Sequence, residues 1–351
     1  MLMSMVVGKA FADDGDVFSY NNISYVVDHK NNKNVYVLVA PKETGSYSGQ
    51  ITINFSFSAN NLAGYNGKNT FWVIGISDGA FSNCTGLTSL SFSGNTSYLT
   101  SIGEGAFSGC SNLISFTIPK TVESIGEGAF SGCSGLTTMT VASGNPAYKS
   151  IDDNCIIHKS SKTLIAGCKT SVIPDNASDV TIIGASAFKN ISSLESIIIP
   201  SNIESIEDNA FNGCSGLNTV TSNCETAPTL GANAFSNIQS GSTLTIPAET
   251  LGSYIEKGWT NYFDISNLSG RVSITFTDPD ETYTYNSSDH TPEVIVKDGN
   301  ATLTKDTHYT VSYSDNINAG EATITITING NRAQQLETHF TIGKADINPT
   351  V

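Results

Sequence analysis

From residue 80 to residue 235 an Ala-Phe dipeptide occurs six times, with its phenylalanine at Phe81, Phe107, Phe130, Phe188, Phe211 and Phe235, at spacings of 26, 23, 58, 23 and 24 residues. Other positions keep the same phase: an Ile-Pro pair places its proline 12 residues after the phenylalanine at Pro119, Pro200 and Pro247. The unit is A-F-x-x-C-x-x-L-x-x-Φ-x-Φ-P-x-x-Φ-x-x-Φ-G, with Φ apolar, and "AFSGCSNLISFTIPKTVESIGEG" at 106–128 shows it whole. Such a period constrains the architecture before any other feature does. One copy supplies a short strand, an apolar turn and a return, too little to close a core, so the copies must stack. Phe107, Cys110, Leu113, Phe116, Ile118, Val122 and Ile125 are expected to point inward and meet their counterparts above and below. Adjacent strands about 4.8 Å apart then form a continuous parallel ladder. Proline, without an N–H, ends each strand, and the glycine before Ala-Phe permits a tight return.

The repeat also disposes of a false lead. "GEGAFSGCS" occurs at 103–111 and 126–134 and looks like a phosphate-cradling loop. The dinucleotide fingerprint needs G-x-G-x-x-G, and here Gly103, Gly105 and Gly109 place the third glycine one residue late. A cofactor loop should also be unique, whereas this stretch is a repeat. The 58-residue gap holds "NPAYKSIDDNCIIHKSSKTLIAGC". Ala147-Tyr148 stands there in the place of Ala-Phe, and "KSIDDNCIIH" and "KTLIAG" read as a hairpin inserted into one turn.

These residues resemble the BspA-type leucine-rich repeats of bacterial surface proteins. The likeness rests on "IGEGAFSGCSNLISFTIPKTVESIGEGAF", on the inserted hairpin, and on "LTIPAETLGSYIEKGWTNYFDI" at 244–265. That last stretch is similar to the family's terminal turn, with Tyr254, Trp259 and Phe263 covering the open end. The resemblance implies a mainly β, right-handed leucine-rich-repeat solenoid with few short helical turns, running over 71–268. Alternating strands over 13–70 would close the front end. After Gly270 the ruler stops, and six short alternating runs over 271–345 indicate an immunoglobulin-like β-sandwich. Residues 346–351 are similar to a linker into a further module. At the other end, Ala10-Phe11-Ala12 is an A-x-A cleavage pattern, so residues 1–12 read as the remnant of a signal peptide and the protein as secreted or cell-surface.

Composition excludes several classes. Asp and Glu number 32 against 17 Lys and Arg, a net charge of -15, and that field repels nucleic acid and anionic membranes. No apolar run reaches the roughly 18 residues of a membrane span. Four of the seven cysteines, Cys84, Cys110, Cys133 and Cys214, fall three residues after the anchor phenylalanine, where Ile191 and Ile238 follow Phe188 and Phe235. Isoleucine replaces a buried small hydrophobe but not a metal ligand, so these are expected to be core thiols. Stacked turns bring Cys110 and Cys133 within disulfide reach, but parallel side chains would strain the bond. Cys155 and Cys168, flanking the hairpin turn, are the candidates if the chain holds a disulfide. His29, His158, His290, His308 and His339 are scattered without metal-ligand spacing. No catalytic constellation is visible, and neither an enzymatic activity nor a cofactor is expected.

The remaining candidate is a surface. If the leucine and the two Φ positions point inward, the outward pairs are Ser89/Ser91, Ser115/Thr117, Thr138/Thr140, Ser196/Ile198 and Thr219/Thr221. The β propensity of Ser and Thr explains such a stripe, and so does a flat, hydroxyl-rich ligand face with little electrostatic steering. The family resemblance implies a protein partner on a host or neighbouring cell. A glycan is the alternative, favoured if Tyr65, Trp72, Tyr98 and Tyr148 cluster on an exposed face.

Overall fold

A computed structural model describes residues 15–31, 34–42, 46–60, 68–94, 98–176, 178–278 and 282–345. Among these the chain is mainly β, and its helices are short: Leu251–Glu256, Trp259–Asn261 and Leu268–Arg271. The chain divides into two compact units, Met1–Asn218 with Gly231–Ser240, and Thr219–Leu230 with Gly241–Val351.

In the first unit the front end is an antiparallel meander of Val17–Tyr20, Ile23–Asn31 and Asn34–Ala40. Asn34–Ala40 then pairs in parallel with Lys68–Ile76, and the sheet continues through the two-residue strands Ser101–Ile102 and Ser124–Ile125. A second ladder runs beside it. Gly49–Asn54 pairs in parallel with Leu87–Ser93, and Ser115–Ile118 with Thr138–Val141. The last pair is offset by one repeat, which puts every side chain opposite its phase equivalent.

Between the ladders lies the anchor column. Phe81 and Phe107 stack with ring centroids 5.1 Å apart, Phe107 and Phe130 at 5.4 Å, Phe188 and Phe211 at 4.8 Å, and Phe211 and Phe235 at 4.8 Å, all within 8° of parallel. The backbone repeats in step: the amides of Phe81, Phe107, Phe188 and Phe211 donate to Ala106, Ala129, Ala210 and Ala234 of the next turn. The residue before each Ala-Phe has positive φ, between +56° and +60°, whether it is glycine, Ser186, Asn209 or Asn233. Gly103 and Gly126 do other work. A Cβ on them would lie 2.4 and 2.3 Å from the backbone nitrogens of Asp78 and Glu104, so they let neighbouring turns touch.

Three expectations need correction. Ala147-Tyr148 does not replace an anchor, because the column passes directly from the loop at 130 to the loop at 188: the Gly132 amide donates to Lys189 O at 2.8 Å, and Ser131 Oγ to Ser186 O. Tyr148 instead begins a strand, Tyr148–Ile151, and its hydroxyl accepts the Ile125 amide at 3.0 Å. The inserted segment is three antiparallel strands rather than one hairpin. Tyr148–Ile151 turns into Cys155–His158 through Asp152 and Asp153, both at positive φ, and Thr163–Gly167 follows. Ile125 is only partly buried, since Ser124–Ile125 is the last strand of its sheet and no further strand covers it. Phe107, Cys110, Leu113, Phe116, Ile118 and Val122 are buried as expected.

All seven cysteines are buried and free, Cys155 and Cys168 included. The thiols of Cys110, Cys133 and Cys214 each donate to the carbonyl of an anchor phenylalanine in another turn, Phe81, Phe107 and Phe188, at 3.0–3.1 Å. That contact explains why the position accepts cysteine and, without the hydrogen bond, isoleucine. Burial pushes the Cys155 thiol up to about 11 and that of Cys214 to about 12, which keeps the reactive thiolate scarce. Because all seven thiols are buried, native protein at about pH 8 should react slowly with a thiol reagent. Unfolding without reductant should release all seven thiols; recovery of fewer would reveal disulfides.

The second unit contains the parallel strands Thr219–Ser222, Thr243–Thr245 and Asp264–Ile265 and the terminal turn. Tyr254, Trp259 and Phe263 are fully buried there. The Tyr254 hydroxyl donates to Cys224 O at 2.9 Å, and Trp259 Nε1 to Pro228 O at 3.0 Å, so both rings are fixed at their polar ends. Among the described residues seven strands follow in two sheets. Val272–Phe276, Val294–Asp298 and Ala301–Thr302 form one; Tyr283–Thr284, Gln335–Gly343, Gly320–Ile328 and Tyr309–Ser314 form the other. Val296, Ala322, Ile324 and Ile326 are fully buried. A buried ion pair ties these strands to the terminal turn: Arg271 donates through Nε and Nη2 to Asp298 at 2.9 and 2.6 Å, and reaches Ile246 O and Pro247 O as well. Asp298 also accepts the Leu251 amide at 2.9 Å.

Candidate binding surface

The outward residues of the strand ladder form rows because parallel strands in register place equivalent positions side by side. In the first unit Ser115 lies opposite Thr138, and Thr117 opposite Thr140, whose hydroxyls meet at 2.7 Å. Ser91, Ser115, Thr117, Ser196 and Ile198 are exposed; Ser89, Thr138 and Thr140 are half-buried. Thr138–Val141 is the more covered strand because the insertion flanks it, with Ser150 Oγ accepting the Val141 amide. In the second unit the half-buried Thr219 and Thr221 lie opposite Thr243 and Thr245.

The rows are longer than sequence reasoning found. Gln50 registers with Ser89 and Thr52 with Ser91, and the Thr52 and Ser91 hydroxyls are 3.0 Å apart. Ser93 Oγ donates to Asn54 Oδ1. This strand lies before the first Ala-Phe, so the period could not reveal it. Thr170 and Val172 also belong here. Thr170 Oγ1 donates to Thr137 O at 2.8 Å, while Ser201 and Asn202 bond Asp175 and Pro174 from the other side. "SVIP" restores the phase of "IIIP" after the insertion, although no Ala-Phe anchor precedes it and the outward pairs taken from the anchored turns do not include it. Val172 and Ile198, 63% and 58% exposed, thus add an apolar element to a row of hydroxyls and amides. In the first unit none of these outward positions carries a charge.

The aromatic candidates separate. Tyr65 lies outside the described residues. Tyr148 is buried. Trp72 and Tyr98 do come together, 4.6 Å between centroids, beside Tyr36 and His29. Neither Tyr36 nor His29 carried any signal in the repeat. Among the described residues no group of His, Cys, Asp and Glu side chains could hold a metal ion, and no helix is long and apolar enough to cross a membrane.

The geometry defines a repeat protein built from stacked parallel strands with an uncharged outward row. Six copies of the BspA type leucine-rich repeat region match residues 53–179 and 181–275, and the chain belongs to that family. No curated protein matches it. Among solved structures it is similar to a leucine-rich repeat protein from Bacteroides ovatus, with 22% identity, covering 71% of this chain and 66% of that one, at a TM-score of 0.41. The pneumococcal vaccine antigen PcpA gives 16% identity, 68% and 83% coverage and a TM-score of 0.34. A leucine-rich cell surface protein from Faecalibacterium prausnitzii gives 17%, 72% and 94%, and 0.28.

Proposed function

We infer that this is a secreted or cell-surface adhesion protein that takes a protein partner on the strand face of a leucine-rich-repeat solenoid, which an immunoglobulin-like module follows in the sequence. The observation that carries the reading is the uncharged outward row from Gln50 to Ile198, with its exposed apolar pair Val172 and Ile198. Hydroxyls and amides hydrogen-bond a partner's backbone and polar side chains, while the apolar pair offers the desolvated contact on which interface affinity concentrates. Such a face works without a cofactor or catalytic group.

The test is binding of labelled full-length protein to intact epithelial cells. Binding through this face should weaken little as salt rises, because no charge pair is screened. Replacing Ser115, Thr117, Thr138 and Thr140 by Lys should abolish it through unpaired charge, in a protein still folded by circular dichroism. Protease treatment of the cells should also remove it. Retained binding by the quadruple variant would move the site elsewhere, and binding that survives protease but not periodate would make the receptor a glycan.

A further inference from the structure

We propose that the exposed aromatic cluster of His29, Tyr36, Trp72 and Tyr98 is a binding site for a neutral saccharide, separate from the strand-face row. Three of its members form a line across three adjacent strands, since Tyr36 registers with His29 on one side and with Trp72 on the other. Strand alternation assigns the face. Val35, Val37, Phe71 and Val73 are all buried to within 1% of completely, so Tyr36 and Trp72 stand on the opposite, outer surface. Tyr98, in the loop before Ser101–Ile102, folds against them from outside the sheet.

The rings support one another. His29 and Tyr36 stack at 4.3 Å, Trp72 and Tyr98 lie at 4.6 Å inclined by 50°, and Tyr98 meets Tyr36 edge-on at 6.3 Å. Yet none is buried. Tyr98 is 38% exposed and the His29 side chain 53%, while Tyr36 and Trp72 are half-buried. A soluble chain that gathers four rings at its surface, in a segment whose inner face already has its core, leaves an amphipathic patch of the kind that marks a ligand site. The rim is polar. Trp72 Nε1 donates to Asn34 Oδ1 at 3.3 Å, and the Asp28 carboxylate lies 2.6 Å from His29 Nδ1.

A pyranose matches both parts. Its C–H groups pack on aromatic surface, and its hydroxyls donate to a carboxylate such as Asp28 and accept from an amide such as that of Asn34. An aliphatic side chain would use the rings and leave the rim unmatched. Anionic sugars and nucleotides meet the Asp28 carboxylate and a net charge of -15. The site is therefore assigned to an uncharged sugar.

The chain has two tryptophans, and the other, Trp259, is fully buried, so acrylamide quenching of the full-length protein reports on Trp72. Titration with cellohexaose, laminarihexaose, mannohexaose and chitohexaose should find at least one that shields Trp72. Tyr98→Ala should raise its Kd roughly tenfold, as loss of one good ring contact does. Tyr36→Ala should act in the same direction. The quadruple lysine variant of the strand face should bind as the parent does, which separates this site from the proposed protein-binding face. Failure of all four sugars to shield Trp72 would overturn the proposal. So would undiminished affinity in a Tyr36→Ala/Tyr98→Ala protein that is folded by circular dichroism.

Discussion

Phe107→Ala and Phe130→Ala should each destabilise the first unit by about 3–5 kcal/mol, the cost of removing a buried ring from a core that cannot collapse to fill the space. Phe107 is completely buried and touches Phe81, Phe116 and Phe130, at 5.1, 4.8 and 5.4 Å between centroids. Collapse is resisted because the backbone spacing is set by the ladder: the Phe107 amide is held to Ala129 O at 2.8 Å, and the Phe81 amide to Ala106 O at 2.7 Å. The hole therefore stays open between two turns. Urea unfolding followed through Trp72 in a Trp259→Phe background would measure the effect. Ser115→Ala, on the exposed row, is the control and should change stability by no more than about 0.5 kcal/mol. Equal midpoints for the phenylalanine variants and the control would show that the anchor column does not carry the fold.

Arg271→Ala should cost the second unit a comparable amount, about 3–5 kcal/mol, for an electrostatic rather than a packing reason. The Asp298 side chain is 1% exposed and its carboxylate receives Arg271 through two nitrogens and the Leu251 amide through a third. Without the guanidinium a buried charge is left with one neutral donor. The same substitution frees the carbonyls of Ile246 and Pro247, which Arg271 also holds. Trp259, in the terminal turn, is the reporter here, in a Trp72→Phe background. Replacing both partners by apolar residues, Arg271→Leu with Asp298→Leu, should recover part of the loss, because the desolvation cost disappears with the pair. A single variant as stable as the parent would mean that solvent reaches Asp298 after all.

Much of the repeat was legible beforehand because each turn asks the same question of the same position. A stacked slot that accepts Phe, a thiol slot that also accepts isoleucine, and a leucine three residues later recur with one phase, so the inward set could be written down without coordinates. The outward pairs followed by alternation, and none of the ten proposed positions is buried. Where the period breaks, the reading broke too. The insertion hid the fact that Phe130's loop backs directly on Phe188's, and with it the role of Tyr148, whose hydroxyl serves the Ile125 amide instead of filling an anchor slot. At the front end Tyr47, completely buried, packs on Phe81 at 4.6 Å while its hydroxyl bonds Ala40 O and the Ser24 amide. It closes the column from a stretch that has no repeat to mark it.

By itself, then, the sequence determined the period, the inward residues of the repeat, the burial of the four cysteines at the repeat position and the membership of a repeat family, because these depend on contacts between equivalent positions a fixed distance apart in the chain. Tertiary structure alone decided what unlike segments do together. His29, Tyr36, Trp72 and Tyr98 share a surface only through the register of three strands and the path of one loop. Registers of this kind arise from non-local pairing, in which each strand's partner is chosen by the packing of the whole sheet. No local pattern in any one of those segments encodes them.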